Sequence, residues 1–343
     1  MIPYTQHEIT EEDISVAVDL LRSNKPITRG SYTEMLEEAI GERYGGYCVM
    51  LSSGTAALHT AVLGFTGGFP GRRILSPTLT FSAIGNAAMF SIGKLELLDV
   101  DNEKLHSLKP LGRGNIFVPM DYAGLPWRDK ADHVVIRDAA HSFGALYVPT
   151  DAIVFSFHPA KHITGGEGGA VVVYDKEAAN QIKLFRNNGL DASHAHTRMG
   201  LNYHIDEISA AILWSQLQRI NQIIQRRREI AKYYLDQWAT ESRLQLPTNR
   251  ADHVWHIFVL RVNDINRNEF RSQLRVRGIG TQIHYTPLHK QPLFLSNKPF
   301  HNADDAWNRM VTIPLYPSMT DEQVEYVVRS VNEALDAVTT SAS

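Results

Sequence analysis

Between Phe155 and Gly169 a strand-like segment gives way to a polar loop with one lysine, then to a glycine-dense turn. Lys161 stands where a loop can present its amine to a carbonyl, as a Schiff-base lysine requires. A lone loop lysine is ordinarily solvated. Here glycine fills four of the five positions 165–169, more than turn geometry asks for. Asp138 directly follows the strand-like run His133 to Arg137, and ligand-binding residues of α/β sheets gather beyond the carboxyl ends of strands. An acid there can pair with a protonated ring nitrogen, as in pyridoxal chemistry; taken alone, it serves equally well as a cap of the turn Ala139 to Ser142.

Two further segments suit a phosphate. Ser53-Gly54-Thr55-Ala56 occupies a strand-to-helix junction, where Gly54 permits close backbone approach and a helix N-terminus offers N–H groups and a positive dipole end. The same residues also read as ordinary capping. Gly200 to Ile208 opens an amphipathic helix that continues to Leu217. Asn202 is a candidate phosphate donor there, and Asp206 and Glu207 suit the first turn of the helix; capping accounts for this segment as well.

The elements that must position these residues alternate. Thr10 to Asp13 forms a capping box that opens a helix to Arg22, and a second helix fits Tyr32 to Tyr44. Strands fit Tyr47 to Leu51, Arg73 to Ser76, Leu95 to Val100, Asn115 to Val118, Val134 to Arg137, Ile153 to Phe157 and Ala170 to Tyr174, with a helix over Thr55 to Leu63. Strands separated by helices predict a mostly parallel α/β sheet. Beyond a helix ending near Trp238 the texture changes. His253 to Val262 and Gly280 to His284 read as strands, Arg267 to Gly278 and Asp321 to Ala337 as helices, and Thr339 to Ser343 as a polar tail. These predict a large domain over 1–240 and a smaller α+β domain over 241–343, divided where Pro247, Thr248 and Asn249 interrupt the pattern.

The chain has 343 residues, 43% of them hydrophobic and 21% charged, with a formal net charge of -3. It can bury a large core, and its charge balance gives no electrostatic reason to expect nucleic acid. Arg226-Arg227-Arg228 reads as a solvated helix face. Cys48 is the single cysteine, so no intrachain disulfide can form. No apolar run approaches bilayer length and the first residues lack a signal-peptide pattern; the expectation is a cytoplasmic protein away from membranes. His158 with His162, and His194 with His196, have suggestive spacings but no carboxylate completing a ligand set, so no metal is expected.

Taken together, these motifs resemble the sugar aminotransferases of the DegT/DnrJ/StrS group, fold-type-I pyridoxal 5'-phosphate enzymes. The resemblance runs from Ile2-Pro3-Tyr4 and Ile27 to Gly30, through Ser52 to His59, Pro77 to Phe81, Asp138 to Ala145 and the Lys161 run, to Ile313 to Pro317. Order and spacing both match, which is more specific than any single motif. It implies a fold-type-I transferase with a large α/β/α domain and a smaller C-terminal α+β domain. It further implies that Lys161 carries the Schiff base and moves the proton, that Asp138 pairs with the pyridine nitrogen, and that Phe81 stacks on the ring. Gly54, Thr55 and Ser156 would hold the phosphate, joined by Asn202 from the second subunit of a homodimer, with His141 near the ring hydroxyl. The implied substrates are a nucleotide-linked keto-sugar and an amino donor, L-glutamate.

Three departures stand out. His204 occupies a position where arginine commonly follows Asn-Tyr, Gly165 replaces a common threonine, and the stretch after Met120 to Pro126 is short. Relatives that are sugar dehydratases carry histidine at the lysine position; with the register set by Ser156 to Pro159 and Glu167 to Gly169, the aligned residue is Lys161 and His162 is its neighbour. A non-catalytic sensor on the same fold is the alternative from another class. The runs Phe157 to Lys161 and Asp121 to Gly124 look most like members that aminate C4 of a UDP-linked 4-keto-6-deoxy-N-acetyl-hexose for pseudaminic-type sugars, with GDP- and dTDP-linked sugars still open. Arg29, Arg186 and Arg198 are candidates to meet a diphosphate.

Overall fold

The computed structural model describes residues 1–67, 69–110 and 115–341. Helix α1 (Glu11–Arg22) opens with the expected box, the Thr10 side chain accepting from the backbone of Asp13 and the Asp13 side chain from the backbone of Thr10. There follow α2 (Ser31–Tyr44), β1 (Tyr47–Leu51), α3 (Gly54–Thr66), β2 (Arg73–Pro77), α4 (Ala83–Phe90), β3 (Lys94–Leu98), β4 (Ile116–Phe117), β5 (Val134–Asp138), β6 (Ala152–Ser156) and β7 (Gly169–Val173). Helices α5 (Lys176–Arg186), α6 (Glu207–Leu217) and α7 (Ile220–Gln237) complete this part.

These seven strands form one sheet in the order β1-β7-β6-β5-β4-β2-β3. Strand β7 runs antiparallel to both neighbours and the other pairs are parallel. Alternation along the strands builds two cores. Val49, Leu51, Val154, Val171 and Val173 face α3 and α4, whereas Cys48, Met50, Ile153, Phe155 and Val172 face α2, α6 and α7. A sheet covered on both faces needs near-continuous apolar strands, and β6 and β7 are buried throughout. Each such valine or leucine contributes about 1.5–3 kcal/mol on burial.

The remainder of the chain forms β8 (Leu244–Gln245), β9 (Phe258–Val262), α8 (Arg267–Val276), α9 (His301–Arg309), β10 (Met310–Ile313) and α10 (Asp321–Ser341). The three strands make a separate antiparallel sheet, β10-β9-β8. Its core takes in Tyr234 and Trp238 from the end of α7, so that helix reaches from one core into the other. The N-terminal residues also join this part: Ile2 exchanges backbone hydrogen bonds with Gly278 and Gly280, each 2.8 Å.

The structure differs from the sequence expectation at four places here. Arg227, expected on a solvated helix face, is buried, its guanidinium donating to the carbonyls of Trp255, His256 and Leu315. The strand expected over His253 to Val262 begins only at Phe258, because residues 253–257 bond instead to the segment after β4: Val254 N–H to Gly124 C=O at 3.0 Å and His256 N–H to Ala123 C=O at 2.9 Å. Gly280 to His284 is no strand; it makes one isolated bridge, Gln282 to Thr312. Thr339 belongs to α10, its hydroxyl bonded to the Leu335 carbonyl, and Ala342 and Ser343 at the end of the expected polar tail lie outside the described residues. Among the described residues no helix is long and apolar enough to cross a membrane.

Candidate active site

The carboxyl ends of β1, β5 and β6 lie along one edge of the large sheet, with the start of β7 between β1 and β6. Leu51 and Ser156 both pair with Gly169, and Asp138 pairs with Val154 two residues before Ser156. The candidate residues gather at this edge because they follow directly from those strand ends.

Helix α3 enters immediately after β1. The Ser53 side chain caps it by accepting from Ala56 N–H at 3.1 Å. The N–H groups of Gly54 and Thr55 have no partner within the helix, as at any first turn. A Cβ on Gly54 would lie 2.6 Å from the Ser156 Cβ, and one on Gly169 would lie 2.2 Å from the Ser53 carbonyl oxygen. Both positions therefore exclude a side chain. The result is a tight cradle of helix N–H groups and the Ser156 hydroxyl, suited to a phosphate.

The lysine loop is fixed from within. Phe157 N–H donates to Gly168 C=O, Lys161 N–H to His158 C=O and the Thr164 hydroxyl to Phe157 C=O, each at 2.8 Å. Gln216 of α6 accepts from Thr164 N–H at 2.9 Å. Gly165 is required by the same packing, since a Cβ there would lie 2.5 Å from the Ser209 carbonyl oxygen of α6; the absence of threonine at this position follows from that approach. Lys161 is half-buried, and burial pulls its amine down to about 8 against the attraction of Asp138.

Asp138 is 5% exposed. Burial raises its pKa above the usual carboxylate range, opposed by the Ala140 N–H that donates to Oδ1 at 3.1 Å and by the Lys161 charge. His141 is fully buried and shares a 2.8 Å hydrogen bond between Nε2 and the Tyr285 hydroxyl, while its Nδ1 has no hydrogen-bond partner. Burial, then the charge of Lys161, holds this imidazole well below its ordinary pKa, so it stays neutral. Phe81 is 56% exposed, with its ring 5.7 Å from that of Tyr285.

The structure thus draws Gly54, Thr55, Ser156, Lys161, Asp138 and His141 to one sheet edge, with Phe81 joined to His141 through Tyr285. Asn202 is exposed, in a segment bridged to Asn187, and its neighbour Tyr203 accepts from Ser52 N–H at 2.9 Å. Asn187 Oδ1 lies 2.7 Å from the Arg29 guanidinium and 3.1 Å from His204 Nε2. Of the arginines suggested for a diphosphate, Arg186 is committed to Glu37 at 2.6 Å and to Met50 C=O at 2.8 Å, a structural role. Arg198 lies over the Phe185 ring at 5.1 Å.

Sequence reasoning missed Tyr285 and His256, whose ring lies 4.2 Å from that of His141. Both come from the C-terminal part, where no local spacing marks them; only the fold brings them to the strand ends.

This site fits pyridoxal phosphate on its own chemistry: an anion cradle no side chain can fill, an amine with a lowered pKa, an acid at the adjacent strand end, and a buried imidazole nitrogen left without a partner. Comparison with known proteins agrees. Residues 7–109 and 127–332 match the profile of the DegT/DnrJ/EryC1/StrS aminotransferase family. The chain is 30% identical to the UDP-4-amino-4-deoxy-L-arabinose–oxoglutarate aminotransferase of Shewanella sediminis, covering 97% of each. Its fold is that of Helicobacter pylori PseC, an aminotransferase of pseudoaminic acid biosynthesis (TM-score 0.89, 24% identity, 98% of this chain and 99% of that one). A Streptococcus pneumoniae protein solved in its PLP form matches equally well (TM-score 0.89, 22% identity, 98% and 99% covered). The chain belongs to the DegT/DnrJ/EryC1/StrS family and is a pyridoxal-phosphate-dependent sugar aminotransferase.

Proposed function

We propose that this enzyme moves an amino group from L-glutamate to C4 of a nucleotide-linked 4-keto-6-deoxy sugar, acting in the cytoplasm as a homodimer with shared sites. The observation that carries the reading is the placement of Lys161, with its lowered pKa, within electrostatic reach of Asp138 at the edge that bears the Gly54–Ser156 cradle. When bound, pyridoxal phosphate supplies a carbonyl for amine exchange and a ring that takes up the electrons of the broken C–H bond.

The chain's own residues do the rest. Gly54, Thr55 and Ser156 bind the phosphate through N–H and hydroxyl groups, and Asn202 of a second copy completes its shell. Asp138 holds the proton on the pyridine nitrogen. His141 would lie beside the cofactor ring and Phe81 would stack against it. Lys161 would hold and move a proton at Nζ; its amine, drawn down to about 8 by burial, is partly neutral around neutral pH, as a proton carrier needs.

The dehydratase alternative requires histidine to act where Lys161 stands. His162 is buried with its Nε2 donating to Val254 C=O at 2.9 Å, so it is engaged elsewhere, which favours amination. The name of the Shewanella relative supports a UDP-linked sugar, and we favour a UDP-linked N-acetyl-hexose. The test is a half-reaction screen: the protein is converted to its pyridoxamine phosphate form with glutamate, and each 4-keto sugar nucleotide is added separately. Return of the visible absorption band with the UDP-linked sugar is expected. A response confined to GDP- or dTDP-linked sugars would overturn the nucleotide assignment, and no response to glutamate would overturn the donor.

A further inference from the structure

Asp121 is wholly buried beneath the residues assigned to the cofactor ring. Its backbone N–H donates to the Asp138 carbonyl at 2.9 Å, which ties it to the end of β5. Its carboxylate reaches forward over the next turn, accepting the Ser142 hydroxyl on Oδ2 at 2.6 Å and Trp127 N–H on Oδ1 at 2.8 Å. Ser142 closes the turn that begins at Asp138, since its N–H donates to Ala139 C=O at 2.9 Å, and His141 lies inside that turn. One residue therefore grips the two ends of the segment carrying Asp138 and His141.

Packing alone does not call for an acid here. Burial pushes the Asp121 carboxyl up to about 6, against the nearby Arg137 cation and its two donors, and the charge of Asp138 pushes it further up. Arg137 is itself fully buried, its guanidinium 4.9 Å over the Tyr147 ring and 5.9 Å over Trp127. Tyr147 in turn donates to the Ser142 hydroxyl at 2.8 Å. A buried acid is costly unless it is paired and hydrogen-bonded, and a satisfied network of this kind rigidifies what it joins. What these bonds fix is the Asp138–Ser142 turn.

We propose that Asp121 is a positioning residue of the active site, holding the Asp138–Ser142 turn so that Asp138 and His141 face the pyridine ring. The inference rests on the pyridoxal-phosphate reading of the site. It predicts that Asp121→Asn, which keeps the shape and loses the doubly accepting anion, weakens cofactor binding and alters the asymmetry felt by the ring.

The test measures pyridoxal phosphate affinity by fluorescence quenching, visible circular dichroism of the loaded protein, and the melting temperature of the apoprotein. Asp121→Asn should lower the affinity roughly tenfold, within the range of coupling inside one hydrogen-bond network, and should change the dichroic band. In an Asp138→Asn background the same substitution should cost less than about twofold, because its effect passes through Asp138. Ser142→Ala, which removes the donor and leaves the acid, should reproduce the change in smaller measure; it carries the comparison if Asp121→Asn does not fold. Equal losses in both backgrounds would overturn the inference, as would a lower melting temperature with affinity and dichroism unchanged. A wild-type protein that binds no pyridoxal phosphate would instead remove the functional reading beneath it.

Discussion

Gly54 and Ser156 touch across the sheet edge so closely that a methyl on Gly54 would lie 2.6 Å from the serine Cβ and 2.8 Å from its hydroxyl oxygen. This contact joins the start of α3 to the end of β6 and shapes the cradle proposed for the phosphate. The serine cannot retreat easily, because its neighbour Phe155 is fully buried and Ser156 itself pairs with Gly169. Gly54→Ala should therefore leave the fold intact at a cost of about 1–3 kcal/mol, the usual range for overpacking. Pyridoxal phosphate affinity should fall by an order of magnitude or more, since the cradle itself must open. Calorimetric titration of the apoprotein checks this; unchanged affinity would place the phosphate elsewhere.

The Lys161 amine, drawn down to about 8, sets a pH dependence with a definite sign. Only the neutral amine condenses with an aldehyde, and burial favours the neutral form. The rate of pyridoxal phosphate uptake by the apoprotein should rise about tenfold per pH unit below 8 and level off above it. Stopped-flow absorbance across pH 6 to 10 reads this directly. A rate still climbing steeply at pH 10 would show an amine with the ordinary pKa of a solvated lysine.

Asp138→Asn should retain the fold, bind pyridoxal phosphate about tenfold or more weakly, and lose most turnover. Removing a charged partner from a preorganised site costs on the order of 10²–10³ in rate, about 3–4 kcal/mol. Steady-state kinetics with glutamate as donor provides the check. Near-normal turnover would reduce Asp138 to the cap of the turn it begins, the role that Ala140 N–H already allows it.

How far the site was legible in the sequence depends on where its residues sit. Gly54, Asp138 and Lys161 lie within a few residues of strand ends, where strand periodicity and glycine density mark them as candidates, whereas their roles and the choice of Ser156 come from the family resemblance. Much of the large sheet was legible from the same periodicity: buried strands such as Ala152–Ser156 are short apolar runs between turn signals. In the C-terminal part, long-range bonds override local pattern. Residues 253–257 have strand composition yet bond to the Ala123–Gly124 turn, and Trp255 adopts a φ of +50. Tyr285 and His256 reach His141 through that docking, which no spacing announces. Arg186 shows the converse: it reads as a free cation, and only the fold reveals that Glu37 holds it.

Sharing of sites between two copies is testable through Asn202, which is exposed in the single chain. A Lys161→Ala subunit and an Asn202→Ala subunit each damage a different half of a shared site. Mixed and reassembled, they should give hybrid dimers with one intact site and therefore recovered activity, up to about half of wild type per hybrid dimer on the statistics of a two-site dimer. Verified heterodimers without recovery would mean that each chain builds its site alone.

Attachment of pyridoxal phosphate to Lys161 has a direct chemical test. The protein is loaded with pyridoxal phosphate, reduced with borohydride, digested, and its peptides are sequenced by mass spectrometry. A pyridoxyl group on Lys161, at close to one per chain, is the predicted result. A pyridoxyl group on Lys176 or Lys183 with Lys161 unmodified would contradict it.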